Sequence, residues 1–149
     1  MSLETEVMSQ LKEAMKTKNE AALRALRSIK SEIIKAKTEP GANGTIDASG
    51  EMKLLQRMAK QRKESMETFL QNDRNDLADK EKEELSIIEK FLPQQLTEDE
   101  LKQELSQIIA ELGVSSPADM GKVMGIATKK LAGKADGKTI SAMVKTLLN

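Results

Sequence analysis

Two lysines in this chain are framed by glycine, Lys122 in the segment GKVMG and Lys134 in GKADG. Glycine allows a backbone to come close to a ligand, and lysine supplies a compact positive charge, so each pair could meet a phosphate. Lys129, Lys130 and Lys138 lie in the same stretch, Met120 to Asn149, which holds six lysines and a single acid, Asp136. Gly121, Gly125, Gly133 and Gly137 punctuate it. Gly121 and Gly125 are four apart, so on a helix they share one face, where they are expected first to permit a tight helix crossing and also to leave room for a ligand. Lys134 precedes the start of a last helix, where unpaired N–H groups favour an anion.

Enzymatic chemistry is harder to place. The chain has no His and no Cys, which removes the commonest general base, metal ligand and thiol nucleophile. Asp76, Asp79, Glu83 and Glu84 lie close together in NDLADKEKEEL, as a carboxylate pair or a hard-metal site would require. Lys80 and Lys82 interleave with them, and a solvated helix face is the competing reading. The glycine–lysine pairs lack the spacing of a phosphate-binding loop and have no strand before them, and no dinucleotide fingerprint is present. No catalytic residue, metal ligand or cofactor is expected.

The elements that must carry these residues are helical. At 149 residues with 38% hydrophobic content, the chain can bury a core. Phe69 and Phe91 are its only aromatics, while Met occurs nine times, a composition suited to packed helices rather than sheets. Leu3, Val7, Met8, Leu11 and Met15 mark a first helix ending near Lys18. A second, capped by Asn19, carries Ala22, Leu23, Leu26, Ile29, Ile33 and Ile34 to about Lys37. Residues 39–50, EPGANGTIDASG, break the period and predict a long mobile loop. Met52, Leu55, Met58 and Phe69 give a third helix, and Leu77, Leu85, Ile88 and Phe91 a fourth. Pro93 then stops the pattern.

Beyond that proline the signals are denser. Thr97 and Glu100 form a capping box for a fifth helix that ends at Gly113. Ser116, Pro117 and Asp119 open a sixth, bearing Met120, Val123, Met124, Ala127 and Leu131. Asp136 or Thr139 caps a seventh. The fold class is all-α, with a four-helix N-terminal domain of two hairpins over residues 1–92 and a three-helix C-terminal domain over residues 93–149.

Charge is balanced, with 24 basic and 24 acidic residues, so the whole chain gives no argument for a nucleic acid or a membrane. It is sorted locally, however. Thr97 to Asp119 carries six acids and one lysine, opposite to the stretch that follows. Either the acidic helix neutralises the basic pair internally, or the lysines face a partner. Arg24, Arg27, Lys30, Lys35 and Lys37 on the second helix, and Lys53, Arg57, Lys60, Arg62 and Lys63 on the third, present the same choice, with the acidic fourth helix as the internal partner. The missing cysteines fit a reducing compartment, and no apolar run reaches membrane-spanning length, so a cytoplasmic protein is expected.

MGKVMG, GKADG, the linker FLPQQLTEDEL and KQRKES at Lys60 to Ser65 together resemble the YqeY-like, or GatB/YqeY, family over essentially the whole chain. The resemblance implies an all-helical protein with a small C-terminal three-helix domain. That domain is similar to the tail of the B subunit of the glutamine-dependent amidotransferase acting on misacylated Glu-tRNA or Asp-tRNA. It implies a tRNA-facing role for Gly121, Lys122, Gly125, Gly133, Lys134 and Gly137, with Lys129, Lys130 and Lys138 beside them. It further implies tRNA and an amidotransferase or other tRNA-handling protein as partners. The family label of carbon–nitrogen ligase with glutamine as amide donor finds no catalytic half in this sequence. A protein–protein adaptor is the alternative.

Overall fold

A computed structural model describes residues 2–149. Among them are seven α-helices and one short 3-10 turn, with no strand, so the all-α expectation holds. The helices are α1 (Leu3–Thr17), α2 (Glu20–Thr38), α3 (Ala48–Gln71), α4 (Asn75–Glu89), α5 (Glu98–Leu112), α6 (Met120–Lys130) and α7 (Gly137–Leu148). Contacts divide the chain into two compact units, Met1–Leu92 and Pro93–Asn149.

In the first unit α1, α2 and α3 each start on a side-chain cap that the sequence supplies, whereas α4 follows Arg74 without one. Ser2 accepts from the Thr5 N–H (3.2 Å), Asn19 from Ala22 (3.1 Å) and Asp47 from Gly50 (2.7 Å), each satisfying an orphan donor of a first turn. Lys18 (φ 56°) closes α1 in the left-handed conformation. α1 pairs with α2, and α3 with α4; α2 also packs on α3 and α4. The core is mostly aliphatic, with Val7, Leu26, Ile29, Ile33, Met58 and Ile88 essentially inaccessible and Phe91 packed against its edge. The segment before α3 is shorter than the sequence suggests, because Asp47 caps a helix that already includes Ala48, Ser49 and Gly50. The remaining loop, residues 39–47, makes two successive turns, and Ile46 packs against the core.

Around that core the charges sort themselves between helices. Arg62 on α3 is the centre. Its Nε is 3.0 Å from Glu84 and 3.6 Å from Glu81 on α4, and its terminal nitrogen donates to Ser28 Oγ on α2 (2.9 Å). Arg24 on α2 reaches Glu83 (3.0 Å) and Glu84 (3.6 Å), and Lys63 reaches Glu89 (3.9 Å). Lys37 pairs with Glu4, tying the end of α2 to the start of α1. The internal-pairing reading is thus correct for Arg24, Arg62 and Lys63. Arg57 pairs instead with Glu32 on α2, and Lys35 with the same carboxylate. Of the α4 acids singled out from sequence, Glu83 and Glu84 are engaged by arginines and Asp76 by Arg74 (3.2 Å), while Asp79 has no ion pair among the described residues. Among the described residues no cluster of three or more acids could hold a metal.

The second unit wraps α5, α6 and α7 around Leu105, Ile108, Val123, Ala127, Leu131, Ile140 and Val144. The capping box of Thr97 and Glu100 is fully formed, with both reciprocal bonds present (3.2 and 2.9 Å). Gly113 (φ 67°) ends α5 as expected. Ser116 caps the 3-10 turn Pro117–Asp119, which runs directly into α6. Asp136, not Thr139, caps α7, accepting from the Thr139 N–H at 2.7 Å.

Burial pushes the Glu81 carboxyl above its ordinary range, opposed by Arg62 and reinforced by Glu84, and one Glu81 oxygen is buried without a hydrogen bond. A carboxyl that holds its proton more tightly when folded penalises the folded state above its folded pKa, and the penalty fades as pH falls toward the unfolded value. Glu81→Gln is expected to unfold at higher denaturant than the parent at neutral pH, with the difference shrinking through the carboxylate range. A constant difference, or a less stable variant at neutral pH, contradicts this placement. In the second unit, Gly133 is buried with φ 79°. Gly133→Ala should cost about 1–2 kcal/mol, the strain of a left-handed non-glycine residue, visible as faster amide exchange across α6 and α7.

Candidate nucleic-acid interface

The turn between α6 and α7 is built by backbone. α6 ends when Leu131 turns its buried side chain into the core, and Gly133 then takes a left-handed conformation. The two carbonyls that follow face the linker. Gln95 donates its side-chain N–H to Gly133 O (2.6 Å), and the Leu96 N–H donates to Lys134 O (3.0 Å). Gln95 also bonds Pro93 O (2.9 Å). Lys134 therefore has a fixed main chain and an exposed side chain. Gln95 was not among the residues singled out from sequence; only the fold shows that the amide in PQQL fastens the turn.

Two sequence expectations about this region are overturned. Gly121 and Gly125 do not serve a tight crossing: both are exposed, and a Cβ at either would meet nothing within 4 Å. The start of α7 is not an open anion site, because the Asp136 carboxylate already sits on it, and its negative charge answers the helix dipole. Internal neutralisation of the charge split is also largely absent. Lys130 reaches Glu104 at 4.0 Å, whereas Lys122, Lys129, Lys134 and Lys138 have no ion pair among the described residues. The acids are used locally instead. Glu98, Asp99 and Glu100 fill the first turn of α5, and Asp119 precedes α6.

The register of α6 shows what the lysines face. At roughly 100° per residue, Val123, Ala127 and Leu131 share an inward arc, and Lys122 and Lys129 lie within about 20° of each other on the opposite side. Gly121 and Gly125 border them on one flank, and Ile126, 42% exposed, and Lys130 on the other. Lys122 and Lys129, seven residues apart, are about 10 Å apart along the axis. Ile126 was also missed from sequence, although its position off the Val123–Ala127 stripe was the available signal.

Several of these residues oppose their own local structure. A glycine inside a helix costs about 1 kcal/mol relative to alanine, and neither Gly121 nor Gly125 recovers it through packing. Lys122 in the first turn of α6 and Lys138 in the first turn of α7 place cations at the positive ends of helix dipoles. Lys129 and Lys130, by contrast, are in the last turn of α6, where the dipole favours them. Gly133 and Lys134 form the turn, and Gly137 is the first residue of α7, exposed and with no close neighbour at its Cβ position. The site is an open, basic, glycine-edged helix face followed by a basic turn.

The family profile described as Yqey-like protein matches residues 4–148. Among curated proteins, the chain is 33% identical over 129 residues to altered inheritance of mitochondria protein 41, mitochondrial, of Candida glabrata, a match covering 85% of this chain and 66% of that relative. The protein of the same name from Lachancea thermotolerans is 32% identical, over 91% of this chain and 73% of the relative. That of Pyrenophora tritici-repentis is 28% identical, over 95% and 78%. This chain thus spans about two thirds of the first relative's length. No helix among the described residues is long and apolar enough to cross a membrane. An all-helical chain matched almost end to end by this profile belongs to the YqeY-like protein family.

Proposed function

We propose that this protein is a non-catalytic RNA-binding accessory protein whose α6 face and α6–α7 turn take the sugar–phosphate backbone of a tRNA or another structured RNA. The observation that carries this reading is that Gly121, Lys122, Gly125 and Lys138 each disfavour the helix they stand in and have no internal contact that offsets it. Residues that break local rules without internal compensation are where function opposes stability. A cation pair with bare glycine backbone beside it suits an extended anion at close range. Without Tyr or Trp there is no platform for stacked single-stranded bases, so a folded RNA read by shape and phosphate is the better fit. An amidotransferase or other tRNA-handling enzyme is the partner we associate with this reading, through the family's resemblance to the amidotransferase tail. A cytoplasmic setting belongs to the same reading and rests on the cysteine-free composition.

The adaptor reading has one observation of its own, the exposed Ile126 set between the lysines. Ile126→Glu separates the two. If a protein partner docks there, RNase-resistant capture is lost while tRNA binding survives.

The RNA reading makes an unusual joint demand. Lys122→Glu should raise helix stability by about 0.3–1 kcal/mol through the dipole, and Gly125→Ala by up to about 1 kcal/mol. Both should weaken tRNA binding. Lys122→Glu combined with Lys129→Glu is expected to lower affinity at least tenfold and to flatten the dependence on salt, since fewer counterions are released. Fluorescence anisotropy with bulk tRNA at two salt concentrations measures it. Binding that is absent in the parent, or unchanged and salt-insensitive in the double variant, ends the proposal.

A further inference from the structure

The loop before α3 holds the only Asn-Gly pair in the chain, Asn43–Gly44. Both residues have positive φ, 54° and 74°, and the Thr45 N–H bonds Ala42 O across them at 3.1 Å. Two central residues of positive φ closed by this bond are the signature of a type I′ turn, which asparagine and glycine adopt with least strain. The Thr45 hydroxyl donates to the same carbonyl (3.0 Å), and Ala42 N–H bonds Glu39 O (3.1 Å). The turn is thus tied at its base and bare at its tip. Asn43 and Gly44 are exposed, and among the described residues the Asn43 amide makes no hydrogen bond, the Gly44 N–H has no acceptor, and nothing lies within 4 Å of a Cβ at Gly44.

We infer that Asn43 is a self-modifying position, at which the Gly44 backbone nitrogen attacks the Asn43 side-chain amide and converts it to a carboxylate. The step needs a nucleophilic nitrogen, a reachable carbonyl and no obstruction, and the tip of this turn supplies all three. Gly44 N loses its proton to solvent base and bonds Cγ. The tetrahedral carbon then breaks its bond to Nδ2, and ammonia leaves, taking up a proton. The five-membered imide is opened by water at one of its two carbonyls, giving aspartate or its β-linked isomer. The sum is amide plus water to carboxylate plus ammonium, with no oxidant or reductant.

Other asparagines lack these conditions. Asn19 is held as a cap by the Ala22 N–H (3.1 Å) and precedes Glu20. The Asn72 amide donates to Thr68 O (2.8 Å) and precedes Asp73, and Asn75 lies in α4 before Asp76. Each following residue carries a side chain that crowds the attacking nitrogen.

The product changes the protein physically. The chain has no net charge at neutral pH, so one conversion makes it an anion. The β-linked isomer also inserts an extra backbone atom into a turn that leads, through Ile46 in the core, to the cap of α3. The test is to incubate the full native chain at mildly alkaline pH and follow it by peptide mass mapping and anion exchange. We expect the Asn43 peptide to gain one mass unit, to resolve into two isomers, and to convert at least tenfold faster than the peptides of Asn19, Asn72 and Asn75. Asn43→Gln should abolish the early acidic species, and Gly44→Ala should slow it at least tenfold. Conversion no faster than at the other asparagines, an acidic species that persists in Asn43→Gln, or conversion that occurs only in denaturant would each overturn the inference.

Discussion

One left-handed glycine holds the C-terminal unit together. Gly133 reverses the chain between α6 and α7, and the reversal turns its own carbonyl and that of Lys134 toward the linker. Two hydrogen bonds then fasten residues 95 and 96 to the turn, and Leu96 and Ala135 join the aliphatic cluster of the three helices. Buried carbonyls require partners, and losing one costs about 1–3 kcal/mol. The Gln95 amide is therefore as structural as any leucine here. The clamp also decides what Lys134 can do, since its main chain is committed and only its side chain is free.

The first unit meets a different constraint. With Phe91 only partly buried at its edge, its core is made mostly of small aliphatic contributions, each fully buried side chain adding about 1.5–3 kcal/mol. Long, highly charged helices packed on such a core bring opposite charges face to face, and the arginines exploit this. Arg62 and Arg24 share the Glu84 carboxylate from two different helices. Such partly exposed pairs fix the relative register of α2, α3 and α4 more than they add stability. Burial among these helices leaves Glu81 with an ionised form that the fold penalises.

The contrast between the two units gives the functional reading its force. In the first, cations and anions meet across helices. In the second, most acids are engaged at helix starts, as a capping box in α5 and as the Asp136 cap of α7, and the lysines other than Lys130 face solvent. Two of them stand at helix starts where the dipole opposes them, beside glycines with nothing packed against them.

The sequence alone determined the helices and most of their ends. Caps at Asn19, Thr97 and Ser116 and the stops at Lys18 and Gly113 are local events, in which a side chain or a left-handed residue meets a backbone a few positions away, so they can be read without the fold. Aliphatic periodicity likewise named most of the inner faces, although Met8, Met15 and Ile34, placed inward by their spacing, are exposed because each lies at the margin of its stripe. Tertiary structure alone decided what each charged or glycine residue is for. Gly121, Gly125 and Gly133 look alike in sequence, yet two are bare on the surface and one is a buried turn. Arg62 and Lys122 are both cations on helices, yet one is enclosed by carboxylates and the other faces solvent. Those distinctions depend on which distant residues arrive alongside, and a residue's own type and spacing do not carry that information.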